Sequence, residues 1–141
     1  MDGHTLLELL TVLTLFGVGA SAAAPTARRL ADRAAVHSAR EEVVALLGEA
    51  RSVAMANGSG VVTFAADPPR ARIESGTALI RSVDLFGDRD VQLVLGGARD
   101  STVIRFDALG LGRFASETIV LTRGDVSATV VVSSYGRIRR R

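Results

Sequence analysis

The stretch GHTLLELLTVLTLFGVGASAAA, residues 3–24, constrains the fold more than any other part of the chain. Beyond His4 its one ionisable side chain is Glu8. At about 1.5 Å of helical rise per residue, the run reaches about 30 Å, the thickness of a bilayer core. A helix that is apolar all round must be covered by lipid or by other protein. A carboxylate within a bilayer costs on the order of 2.5–3.5 kcal/mol, so Glu8 asks for a function that offsets that cost. Pro25 follows the run, and a proline inside a helix removes one hydrogen bond and bends the axis.

Beyond Pro25 the helical pattern resumes. Leu30, Ala34, Val36, Val43, Val44, Leu46, Leu47, Ala50, Val53 and Ala54 recur at spacings of three and four among charged residues. That spacing predicts an amphipathic helix ending near Asn57-Gly58, where Gly58 adopts the left-handed cap conformation. The first 57 residues therefore form one long helix or two helices meeting at Pro25.

After Gly58 the period changes from 3.6 to 2. GVVTFAA (60–66), ARIES (71–75), ALIRSVDLF (78–86) and VQLVLGG (91–97) read as strands, with a turn at DPPR (67–70). STVIRFDALGLGRF (101–114) contains a strand that breaks at Gly110 and Gly112. Residues 118–134 form two β-branched runs joined across Gly124-Asp125, the clearest hairpin in the chain. No helix alternates with these strands, so the sheet is expected to be antiparallel. The expected class is α+β, with a small antiparallel β domain packed on a long N-terminal helix.

Composition excludes several chemistries. There is no cysteine, hence no disulfide, thiolate metal site, cysteine nucleophile or lipid-modified cysteine. All 17 basic residues are arginine and the formal net charge is only +2. The pI of 10.3 therefore reflects the high arginine pKa and not a large charge excess. His4 and His37 are far apart with no further histidine or cysteine to help, so no metal site or other cofactor is expected. No serine, acid and histidine set suggests a catalytic pocket, and an enzyme is not expected. Gly110 and Gly112 lack the third glycine and following helix of a dinucleotide fingerprint. Phe106 and Phe114 read as core residues.

Three readings compete for the N-terminal run. The small residues of ASAAA (20–24) suit signal-peptide cleavage, but no lysine or arginine precedes the run and Glu8 interrupts it. A plain membrane anchor has the right length, yet Arg28, Arg29 and Arg33 would hold their own side in the cytoplasm. The third reading is a resemblance. GHTLLELLTVLTLFGVGA is similar to the class III signal of type IV prepilins and pseudopilins. The resemblance implies cleavage by a prepilin peptidase after Gly3, methylation of the new N-terminus at His4, and a glutamate at the offset of Glu8. It also implies a helix kinked near Pro25. Cleavage creates an amino group one helical turn from Glu8. In a filament of packed helices that carboxylate can pair with the amine of a neighbour, which turns a costly charge into a register mark. His4 stands where the family usually has phenylalanine or methionine. The leader Met1-Asp2-Gly3 is short and acidic, so the start lies upstream or recognition is atypical.

Later segments resemble one branch. LLGEARSVAMANGSGVVTF (46–64), IRFDALGLGRF (104–114) and VVVSSYGRIRRR (130–141) are similar to the GspH/FimT type of minor pseudopilins, with Ala108 where a proline is common. This implies a leader (1–3), a transmembrane or filament-core half-helix (4–25), an amphipathic half (26–58) and an antiparallel β-sandwich (59–141). It implies assembly with other pseudopilins in type II secretion. It further implies an inner-membrane span with the β domain outside the cytoplasm. A type IV pilus subunit that binds DNA during uptake, and an unprocessed single-pass protein with a β domain, remain the alternatives. Arg51, within the Ala-Arg pair of this branch, has an ordinary solvated helix charge as its plainer reading.

Arg137, Arg139, Arg140 and Arg141 crowd the C-terminus. Strand alternation sets Arg137, Arg139 and Arg141 on one face. Four phosphate contacts would give a salt slope of about −3.6 on duplex DNA, and Tyr135 could stack on bases. A solvated basic tail and a docking edge for an acidic filament neighbour are the competing readings.

Overall fold

The structure, a computed structural model, describes residues 5–113 and 116–141, without the side chains of residues 18–25 and 88. Gly3, His4 and Phe114 lie outside the described residues. Helix α1 (Leu6–Asn57) is a single element that continues through Pro25, so the two-helix alternative does not hold. Thr5 caps it from an extended conformation, its hydroxyl accepting from the Glu8 amide at 3.4 Å. At the other end Gly58 takes φ 86°, the left-handed cap that the Asn57-Gly58 pair predicts.

The strands follow as β1 (Ser59–Ala65), β2 (Arg70–Ser75), β3 (Ala78–Asp84), β4 (Gln92–Leu95), β5 (Ser101–Asp107), β6 (Gly112–Arg113), β7 (Glu117–Arg123), β8 (Val126–Val132) and β9 (Ile138–Arg140). Among the described residues they form two antiparallel sheets, ordered β3-β2-β1-β5-β6 and β4-β7-β8-β9. Burial alternates along the central strands. Val62, Phe64, Ile73, Ile104 and Phe106 point inward from the first sheet, and Leu93, Leu95, Ile119, Leu121, Val130 and Val132 from the second.

The second half of α1 closes this core with Ala35, Val36, Ala39, Val43, Leu46, Leu47, Ala50 and Ala54, all buried. Half of these are alanines, which let the helix backbone approach the sheets. The approach is tightest at Gly60 on β1, where an added Cβ would stand 2.3 Å from the Ala50 carbonyl oxygen. The sequence pattern thus corresponds to the observed α+β arrangement, one long helix packed on antiparallel sheets. The first half of the helix lies beyond the β domain. Leu6, Leu7, Leu9, Leu10, Val12, Leu13, Leu15 and Phe16 are all exposed there, Leu6 at 82%.

Candidate functional site

Two regions carry the features singled out in the sequence: the exposed half of α1 and the arginine edge at the C-terminus. On the helix, Thr11 donates to the Leu7 carbonyl at 2.7 Å, and Thr14 donates to the Leu10 carbonyl at 2.9 Å. The hydroxyls are satisfied within the helix itself, so they add little penalty to burial in an apolar medium. Glu8 lies three residues after the Thr5 cap, the position of a capping-box acid, and the macrodipole favours a negative charge in that first turn. A local structural role for Glu8 therefore stands beside any role between subunits. Among the described residues no helix is long and apolar enough to cross a membrane. The run counted from sequence also takes in residue 4 and the side chains of 18–24, which lie outside that description.

The amphipathic half of α1 is clamped by arginines from the β domain. Asp32 meets Arg123 of β7 at 2.9 Å, Glu41 meets Arg140 of β9 at 3.2 Å, and Glu49 meets Arg81 of β3 at 2.6 Å. Glu42 pairs with Arg89 from the turn before β4. The four arginines come from separate segments, which explains part of the arginine-rich composition. Desolvation pushes the Glu41 carboxyl upward, but hydrogen bonds and charge from Arg40 and Arg140 outweigh it and hold it below the ordinary carboxylate value.

Arg51 is more than a solvated helix charge. Its Nη2 donates to the Gly136 carbonyl at 2.5 Å and its guanidinium lies 5.5 Å from the centre of the Phe106 ring. It ties the end of α1 to β5 and to the turn before β9. Gly136 (φ 79°) has no room for a side chain, since an added Cβ would meet the Gly112 nitrogen at 2.7 Å and the Phe106 ring at 2.9 Å. That close approach seats the C-terminal segment, and Gly112 donates to the Tyr135 carbonyl at 3.0 Å. The Tyr135 ring is exposed.

The C-terminal arginines divide into two groups. Arg140 lies opposite the buried Val130 and turns toward Glu41 on the helix. Arg139 lies opposite Val131, and Arg141 exchanges two backbone hydrogen bonds of 2.8 Å with Thr129. Arg137 is held through its backbone, its amide donating to the Ser133 hydroxyl at 3.0 Å. All four arginines are exposed, and among the described residues only Arg140 of the four is engaged by a carboxylate. The outward positions of β4, β7 and β8 beside them include Gln92, Val94, Thr118, Val120, Thr122, Ser127, Thr129 and Val131, with no acid among them.

Two further polar centres had no signal in the sequence pattern. Glu117 is 5% exposed and accepts from the Gly96 amide (3.1 Å), Arg99 (2.5 Å), the Thr102 hydroxyl (2.5 Å) and the Thr118 amide (3.0 Å). It joins β5, β7 and the loop after β4. Asp107 accepts from the amides of Leu109 and Leu111, each at 3.0 Å, and closes the β5–β6 turn. The Leu111 amide does most to lower the Asp107 pKa; desolvation opposes it, and the Leu109 amide and Arg113 assist.

No protein-family model matches the chain, and no curated protein does. Two crystal forms of the type IV minor pilin FimU of Pseudomonas aeruginosa have similar structures. The first has a TM-score of 0.63 at 23% identity over 77% of this chain and 90% of that one. The second has a TM-score of 0.59 at 23% identity over 75% of this chain and 92% of that one. The likeness is one of fold: the chain is a pilin-like α+β protein, a long N-terminal helix carrying a two-sheet antiparallel β domain.

Proposed function

We propose that the chain is a minor pseudopilin of the GspH/FimT type, a structural and assembly subunit of a type II secretion pseudopilus. The observation that carries this reading is the division of α1 into a half clamped in the β domain and an exposed apolar half with Glu8 in its first turn. In this reading a prepilin peptidase cuts after Gly3 and the His4 amine is methylated. The apolar half spans the inner membrane, with the β domain on the extracytoplasmic side, until subunits assemble. It then packs in the filament core, where Glu8 takes the terminal amine of a neighbour. Pro25 is the joint between the two halves. The role is assembly and protein contact, not catalysis.

Mass spectrometry of the membrane-extracted protein tests the reading. Loss of residues 1–3 with one added methyl group is the expected result; an intact Met1 or a cut near Ala24 refutes it. An intact Met1 in a membrane-extracted chain would leave the unprocessed single-pass protein in its place. The variant Glu8→Ala is expected to keep the β domain folded and to lose filament incorporation.

The acid-free outer face beside Arg137, Arg139 and Arg141 favours one second reading, a type IV pilus minor pilin that binds DNA. With Arg140 already engaged by Glu41, three phosphate contacts would give a salt slope of about −2.7 on duplex DNA. DNA retention that is equal before and after changing the three exposed arginines to alanine removes this alternative.

A further inference from the structure

We propose that Arg28, Arg29 and Arg33 form a collar that binds anionic lipid headgroups on the β-domain side of the membrane. The inference rests on the membrane-inserted state described under Proposed function and adds a specific lipid class to it. Three observations carry it. First, all three side chains are exposed and none makes an ion pair with a described residue. The acid nearest in sequence, Asp32, lies four residues beyond Arg28 and is already held by Arg123 at 2.9 Å. Gly124 of the β7–β8 turn closes over that pair, since an added Cβ would stand 3.3 Å from the Asp32 carboxylate. Asp125, on the same turn, is exposed.

Second, the spacing fits a bilayer. From Leu6 to Arg28 the continuous helix climbs about 33 Å, slightly more than a hydrocarbon core. When the first turn sits at one interface, Arg28 and Arg29 reach the headgroups of the opposite leaflet, and Arg33 stands about one turn farther out. Third, the three charges lie within two turns of helix and spread over about 140° of its circumference. Arg29 and Arg33 are four residues apart and share a face, while Arg28 is turned about 100° from Arg29. Leu30, 59% exposed between them, offers an apolar side chain at the same depth.

Guanidinium groups bind phosphate oxygens through paired N–H donors, so a phosphodiester headgroup suits this collar. Each basic residue at an anionic surface favours contact on the order of fivefold. The collar also gives the C-terminal side of the span a positive charge that the usual orientation preference does not explain. Held against headgroups, these arginines set the height of the β domain above the bilayer until the subunit leaves for a filament.

The test is electron spin resonance of the full chain in phosphatidylcholine bilayers doped with spin-labelled phosphatidylglycerol or spin-labelled phosphatidylcholine. A motionally restricted lipid signal reports insertion. The expected result is restriction of both probes with about fivefold selectivity for phosphatidylglycerol at low salt. That selectivity falls toward one in 0.5 M NaCl and in the R28Q/R29Q/R33Q variant. If neither probe is restricted, the membrane-inserted state itself fails. If both are restricted equally, insertion stands and the collar is refuted. Unchanged selectivity in the triple variant assigns the lipid contact to other residues and also refutes it. Equal restriction of both probes by the unsubstituted chain, together with loss of filament incorporation by the triple variant, would mean that an acidic neighbour takes these arginines instead.

Discussion

Replacing Gly60 by alanine adds one methyl group at the place where β1 meets the helix. The added carbon would stand 2.3 Å from the Ala50 carbonyl oxygen and 2.9 Å from the Ala54 Cβ. Carbon and carbonyl oxygen ordinarily approach no closer than about 3.3 Å, so α1 must retreat by about 1 Å. The obstructing atoms are backbone and a Cβ, with no flexible side chain to swing aside. A retreat on that scale opens the contacts of Ala50 and Ala54 with the sheet. Overpacking of this kind costs typically 1–3 kcal/mol, and the rigid obstruction puts Gly60→Ala near the top of that range, about 3 kcal/mol. At roughly 4 °C per kcal/mol for a domain of this size, Tm falls by about 12 °C. Gly48→Ala is the matched control. It lies in the interior of the same helix with nothing within 4 Å of an added Cβ. Alanine there gains about 0.8–1 kcal/mol of helix propensity. Thermal and urea unfolding of the detergent-solubilised chain, followed by circular dichroism, compares the two. A Gly60→Ala protein that melts within 2 °C of the parent would refute the direct seating of the helix backbone on β1.

Other substitutions test the polar ties. Arg51→Met keeps the stem beside Gly110 but loses the bond to Gly136 and the stacking on Phe106. It also removes an Nε that has no partner among the described residues, so the net loss in urea unfolding is about 1–2 kcal/mol. Glu117→Gln turns an amide NH2 toward donors that now face a carboxylate; about 2–4 kcal/mol is expected, and a loss below 1 kcal/mol would refute the bridge between strands. Asp107 has a folded pKa below its unfolded value of about 3.8, so its contribution is complete above that pH and lost as pH falls through the lower folded value. Stability of Asp107→Asn is expected to depend less steeply on pH below about 4, as acid titration at fixed urea would measure.

The main elements were legible because their local signals agree with tertiary packing. Asn57-Gly58 stops the helix where the amphipathic pattern stops, and Gly124-Asp125 joins two β-branched runs whose alternation is that of β7 and β8. The antiparallel sense followed from the absence of intervening helices. Periodicity left the continuity of α1 through Pro25 open, since proline signals a bend and an end alike, and the single long helix came from the resemblance. Nor was the partner of each charge. Arg51 and Gly136 are 85 residues apart, and Arg140 and Glu41 are 99 apart. Periodicity carries no information on such pairings. Glu117 opens an alternating strand at a position where the pattern gives no reason to bury a carboxylate. Among the C-terminal arginines, alternation set Arg140 on the other face from Arg137, Arg139 and Arg141, but only the fold shows that it meets Glu41.

The clamp on α1 has a mechanical consequence. The helix is 52 residues, about 78 Å, and its ties to the β domain lie side by side along its second half. Tension applied at the free end runs parallel to that interface and loads it in shear. Asp32–Arg123, Glu41–Arg140, Glu42–Arg89 and Glu49–Arg81 then share the force with the buried alanine and leucine face. A pull perpendicular to the axis would peel the same contacts one after another, beginning at Asp32. The chain is therefore expected to resist axial load far better than lateral load, with its compliance concentrated at Pro25, where the axis carries one hydrogen bond fewer.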